Sequence, residues 1–164
     1  KNLKLNKIIK INIKNRKNLG SDRIANAIGA KKLKNCLIID FGTATTFDIV
    51  KNGTYEGGVI APGVNLSIKN LSQATALLPL INLKTHQKSY GKNTIEALNA
   101  GFVWGYEGLI NNIIDKIISR SKIKYKILLT GGYANFFNKM IKKKVVIDQD
   151  ITIKGIANAY KELI

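Results

Sequence analysis

The short run Asp40-Phe41-Gly42-Thr43-Ala44-Thr45-Thr46 concentrates the oxygen chemistry of this sequence. The apolar stretch from Cys36 to Ile39 reads as a buried strand that delivers the Asp40 carboxylate to its end. Gly42 lets the backbone turn sharply, and Thr43, Thr45 and Thr46 then offer hydroxyls and backbone N–H groups in a tight bend. Such a bend suits phosphate oxygens or a cation held by oxygen. The same residues also describe a hairpin whose Asp and Thr side chains only satisfy their own turn.

Other groups carry weaker signals. Gly20-Ser21-Asp22-Arg23 sets a carboxylate beside a guanidinium at the start of a helix, where an anion can bind and a proton can be accepted. Ser21 or Asp22 as a simple helix cap explains the same residues. Gly91-Lys92-Asn93-Thr94 opens the longest helical stretch and offers Asn93 or Thr94 to a ligand, or Asn93 as a cap. Thr130-Gly131-Gly132 is a strand-to-helix turn with no side chain to obstruct a flat ring. His86 in a polar connection, Cys36 and Trp104 read as bystanders, and no second His or Cys stands near enough in sequence for a zinc site.

The elements that position these groups follow from periodicity. Lys7 to Lys14 alternates apolar and polar residues as a half-buried strand does, and Ser21 to Ala30 sets Ile24, Ala27 and Ile28 on one helical face. Cys36 to Ile39, Thr46 to Val50 and Tyr55 to Ile60 predict an antiparallel meander, with Asn52-Gly53 supplying the hairpin turn. Pro62-Gly63 leads into a helix with Leu66, Ile68 and Leu71, which Pro79 ends. From Thr94 to Ser119, Ile95, Leu98, Phe102, Tyr106, Leu109, Ile113 and Ile117 advance at helical spacing. Gly101, Gly105 and Gly108 interrupt that helix on another side, as glycines do where a second backbone packs closely. A strand at Lys126 to Thr130, a helix through Phe136 and Met140, a strand at Val145 to Ile147 and a helix capped by Thr152 complete the chain. A meander followed by alternating strands and helices predicts an α/β protein with a mixed sheet.

Composition excludes several classes. The chain has 164 residues, enough for one domain with a sizeable core, and no apolar run that would span a bilayer. Its formal net charge of +17 invites a nucleic-acid reading, but the lysines are scattered and no aromatic residues interleave with them for base stacking. Solvated lysines are the better account. A single cysteine leaves no disulfide framework and suits a reducing compartment, the cytoplasm by default.

In chain order, these pieces resemble the type III pantothenate kinases. The stretches that match are Leu19 to Arg23, Asp40 to Thr46, Gly57 to Gly63, Gly91 to Ala97 and Thr130 to Gly132, with Thr152 to Gly155 similar to the closing helix of that family. The resemblance implies an actin-like ATPase, ribonuclease-H-like fold, a mixed sheet with an antiparallel meander flanked by helices. It implies ATP-dependent phosphorylation of pantothenate at the first step of coenzyme A biosynthesis, by a cytoplasmic homodimer without nucleic-acid or membrane partners. Asp22 corresponds to the proton acceptor, and Gly20, Ser21, Asp22, Arg23 and Thr94 to the pantothenate contacts. Thr43, Gly131 and Gly132 correspond to ATP contacts, and Asp40 to the ligand of a monovalent cation, K+ or NH4+; Mg2+ accompanies ATP.

The resemblance begins in the middle of the family. Its opening Asp-x-Gly-Asn-Thr phosphate loop has no counterpart here, the sequence begins with Lys1, and Ile13 and Arg16 stand where the family's lead-in carries Tyr and Pro. Residues 1–30 are expected to end a first ribonuclease-H-like half and 31–164 to form the second, a fragment that binds ATP poorly by itself. The alternative is a non-catalytic relative with a binding or regulatory role.

Overall fold

Alternation along Cys36 to Phe41 gives one strand two chemically different faces, and the whole sheet inherits that division. The computed structural model describes residues 7–85 and 88–163. Its strands are β1 (Lys10–Ile11), β2 (Cys36–Phe41), β3 (Ala44–Lys51), β4 (Thr54–Pro62), β5 (Lys126–Gly131) and β6 (Val145–Ile147). Among the described residues they form one sheet in the order β1-β4-β3-β2-β5-β6. The antiparallel meander β2-β3-β4 is as expected, while β1 joins β4, and β5 and β6 follow β2, in parallel. Asn52 and Gly53 turn β3 into β4 at φ 50° and 71°, the left-handed pair that matches strand twist.

The helices are α1 (Ser21–Gly29), α2 (Val64–Ala74), α3 (Thr94–Ser121), α4 (Ala134–Phe137) and α5 (Ile151–Leu163). Leu37, Ile39, Phe41 and Phe47 pack on one side against Val64 and Ile68 of α2, Ile110 and Ile114 of α3 and Phe137 of α4. Cys36, Ile38 and Val50 pack on the other against Ala27 and Ile28 of α1 and Ile151 of α5. No described helix is long and apolar enough to cross a membrane.

Local pattern misplaced several elements. Only Lys10–Ile11 of the expected strand at 7–14 pairs, because Ile8 and Ile9 are both buried and break the alternation. The helix expected at 94–119 is present as α3; its fully buried row is Asn99, Ala100, Val103, Tyr106, Ile110, Asn111 and Ile114, and Leu98, Phe102, Leu109, Ile113 and Ile117 pack against the same core partly buried. That helix is apolar on more than one side, so spacing alone cannot choose the row that meets the sheet. Among the described residues nothing outside the helix comes within 4 Å of where a Cβ would stand on Gly101, Gly105 or Gly108, and Trp104 is 43% exposed. The helix at Phe136 and Met140 is one α turn followed by a 3-10 turn. Thr152 lies inside α5 rather than capping it, because its hydroxyl bonds to Asn26 instead. His86 lies outside the described residues.

Candidate functional site

The strand register assembles a polar group on the α1 side of the sheet. Asp40 stands opposite Thr46, and Asp48 stands opposite Ile38, so the two carboxylates leave neighbouring strands on the same face. The first two turns of α1 lie over them. Residues 22, 23 and 26 share a helical side because they are spaced by three and four. Arg23 Nε donates to Asp48 Oδ1 at 2.7 Å, and Asn26 Nδ2 donates to Asp40 Oδ2 at 2.8 Å. Thr152 Oγ1, reaching across from α5, donates to Asn26 Oδ1 at 2.5 Å and so fixes which way the amide faces. Asp22 is exposed in the first turn of α1. Neither it nor Ser21 caps the helix: Gly20 is the cap and provides no side-chain bond.

Burial pushes the Asp40 carboxyl above its usual range, the Asn26 amide pulls it back, and the negative charge of Asp22 raises it further. Asp22 stands one turn before Asn26 on the same side of α1, and Asn26 holds Asp40, so the two acids adjoin one another across that amide. Burial likewise raises Asp48, against the hydrogen bond and charge of Arg23 and the hydroxyls of Tyr55 and Thr46. Burial pushes the Cys36 thiol up to about 12, with the Asp48 charge adding to it, so the thiol is inert. Among the described residues no three His, Cys, Asp or Glu side chains gather into a metal site.

Beyond the end of β2 lies a 510 Å³ cleft lined by Phe41, Gly42, Thr43, Asn65, Leu66, Lys69, Gly132 and Tyr133. Thr43 and Gly132 thus line one cleft, with Tyr133 Oη donating to Asn65 Oδ1 at 2.5 Å beside them. Gly131 joins this cleft to the acid group. Its φ of 84° suits glycine, and a Cβ there would stand 2.7 Å from Asp40 Oδ1. The cleft offers the bare Gly132 backbone, two hydroxyls and the Lys69 ammonium, a set that can hold a ring and a phosphate chain.

The other threonines singled out in the sequence stand elsewhere. Thr45 and Thr46 are not in the bend, because Gly42 and Thr43 alone turn the chain and both threonines are buried in β3. Thr45 faces the apolar side, where its Oγ1 has no hydrogen-bond partner among the described residues, and Thr46 faces Asp48. Thr94 is exposed at the start of α3, where Asn93 accepts from Glu96 N as an ordinary cap. Thr94 lines a 400 Å³ apolar cleft with Leu71, Leu78, Ala97, Leu98, Gly101 and Phe102, which shares no residue with the acid group or the Thr43 cleft. Sequence reasoning missed Asn26, Asp48 and Tyr55. Asn26 was findable from its spacing to Asp22 and Arg23, and Asp48 from being a charge inside an otherwise apolar strand.

Comparison with known proteins places these features in a context. Residues 2–116 match the family model for type III pantothenate kinase. The chain is 52% identical over 160 residues to the type III pantothenate kinase of Pelagibacter ubique, covering 97% of this chain and 64% of that one. It spans 55% to 64% of the lengths of such curated relatives. Among solved structures, a Baf family protein from Campylobacter jejuni superposes with a TM-score of 0.67 at 24% identity, covering 96% of this chain and 71% of that one. The ethanolamine utilization protein EutJ from Carboxydothermus hydrogenoformans gives 0.54 at 17%, covering 84% and 53%. The fold is that of the actin-like ATPases.

Proposed function

We propose that this chain, which belongs to the type III pantothenate kinase family, carries the proton-accepting and substrate-holding part of an enzyme that transfers phosphate from ATP to pantothenate, the first step of coenzyme A biosynthesis. The observation that supports this reading is the gathering of Asp22, Arg23 and Asp40 into one polar group adjoining the Thr43–Gly132 cleft. The chain covers 64% of its Pelagibacter relative, so the activity is assigned to a protein of that relative's length.

In this reading Asp22, exposed in the first turn of α1, takes the proton from the substrate hydroxyl. The freed oxygen attacks the γ-phosphorus, the bond to the bridging oxygen breaks, and ADP departs with the electron pair. Gly20, Ser21 and Arg23 hold the substrate so that its hydroxyl faces Asp22, and alignment of this kind supplies much of a kinase's rate. Thr43, Gly131 and Gly132 hold the nucleotide, with Lys69 beside them. Thr94 contacts the same substrate; since it lines a different cleft in this chain, a second copy in a homodimer would bring it there.

Asp40 fits a monovalent cation. Asn26 occupies Oδ2, leaving Oδ1 between Gly42 and Gly131 as a hard oxygen donor. K+ or NH4+ held there would add positive charge near the transferring phosphate, and Mg2+ would accompany ATP through its phosphates. A cytoplasmic setting suits a thiol-containing enzyme that uses ATP.

The test is phosphate transfer from ATP to pantothenate by the protein at the length of its relatives. Asp22→Asn is expected to lower turnover by about 10³-fold with the fold unchanged by circular dichroism. Undiminished turnover would reject the base assignment. Absence of transfer in the unaltered protein would favour the non-catalytic, binding or regulatory role.

A further inference from the structure

Arg23 is held by a buried apparatus larger than its own stability explains. Its Nε donates to Asp48 Oδ1 at 2.7 Å, and Nη2 lies 2.7 Å from the same oxygen without an aligned hydrogen bond. Tyr55 Oη donates to that oxygen at 2.8 Å, and Thr46 Oγ1 to Oδ2 at 3.4 Å. Asp48 is 0% exposed and Tyr55 1%, whereas the Arg23 side chain is 14% exposed. Gly58 pairs with Asp48 across the strands, and a Cβ there would stand 2.7 Å from Nη2. A Cβ at Gly58 would also stand 1.9 Å from the Phe47 carbonyl oxygen, so the neighbouring strand and the guanidinium both occupy that space.

A buried ion pair seldom stabilises a fold more than apolar residues of the same volume would. Its effect here is on geometry. Asp48 Oδ1 faces the Nε and Nη2 edge of a planar fork of five N–H donors, which leaves the opposite, Nη1 side for another acceptor. Nη2 is buried against Asp48, so the 14% of the side chain that stays exposed lies elsewhere on the fork. A donor edge fixed in this way binds a planar anion with little further loss of rotamer entropy. Arg23 also adjoins Asp22 on the same helical turn, so a ligand clamped by one is registered against the other.

We propose that Asp48, with Tyr55 and Thr46, is a positioning residue: it fixes Arg23 so that the guanidinium clamps the carboxylate of the substrate and sets the distance from that carboxylate to the reacting hydroxyl. The identity of the ligand rests on the kinase reading above; the anchoring of Arg23 rests on geometry alone.

Two measurements on this chain separate those parts. In protein labelled with 15N-arginine, the Arg23 Nε–H signal is expected to be slowly exchanging, and to be lost to fast exchange with water in Asp48→Asn. Calorimetric titration with pantothenate and with its alcohol analogue, in which a hydroxymethyl group replaces the carboxylate, reads the clamp. Asp48→Asn is expected to weaken pantothenate about tenfold, the effect of losing one well-oriented charge-assisted hydrogen bond, and to leave the alcohol unchanged. Tyr55→Phe, the milder change for use where Asp48→Asn fails to fold, is expected to weaken pantothenate about threefold with the same selectivity. Equal weakening of both ligands, or full pantothenate affinity with a released Arg23, would overturn the proposal. Binding of neither ligand by the unaltered chain would reject the kinase ligand, and the Nε–H signal then decides: its persistence in Asp48→Asn overturns the anchor, and its release upholds it.

Discussion

Leu37, Ile39 and Phe41 enter one layer of the molecule, and Ile38 and Asp40, their immediate neighbours in β2, enter the other. On the first side the apolar packing continues to the end of the strand, where the rings of Phe41 and Phe137 stack 5.6 Å apart. The buried amides there are absorbed locally: Asn111 donates to the Met140 carbonyl at 3.0 Å and accepts from Lys142 N at 2.9 Å. On the second side the packing is apolar only around Cys36, Ile38 and Val50, then gives way to Asp40, Thr46 and Asp48. One sheet therefore separates stability from chemistry by side-chain parity. The charged half is tolerable because the other face buries enough apolar surface to hold the strands in register.

That contrast can be broken at graded cost. Phe137→Ala empties the centre of the apolar side and is expected to lower unfolding stability by about 4 kcal/mol, measured by urea denaturation, while leaving the Arg23 Nε–H signal in place. Movement of that signal would show that the two faces are coupled. Gly131→Ala acts at the seam, since a Cβ at φ 84° meets both Asp40 Oδ1 and the Phe41 backbone. A loss of about 2 kcal/mol by the same measurement is expected, and an unchanged midpoint would mean that the seam is not tight. Thr45→Val removes a polar oxygen stranded on the apolar side and is expected to raise stability by about 1 kcal/mol. A fall instead would show that the hydroxyl has a partner in use.

Much of this arrangement was legible before folding. The meander, the Asn52-Gly53 turn and the termination of β2 near Asp40 each depend on residues adjacent in sequence, and local sterics decide them. The acid group was legible in part: Asp22, Arg23 and Asp40 were identified, but their partners Asn26, Asp48 and Tyr55 were not. The helical spacing of α3 was legible, but which of its apolar rows is fully buried was not, since spacing says how residues group and not which group meets the sheet. Thr152 was read as a cap because Thr often caps helices; its actual partner is 126 residues away.

The sequence by itself determined the strand periods, the turns and the residue types able to handle a proton or a phosphate, because each is set by chemistry within a few bonds. Tertiary structure alone decided that Arg23 rests on Asp48, that α5 orients Asn26, and that Thr94 stands apart from the acids. Those choices depend on strand register and helix docking, where contacts between distant residues compete for the same buried volume and no local pattern records which one wins.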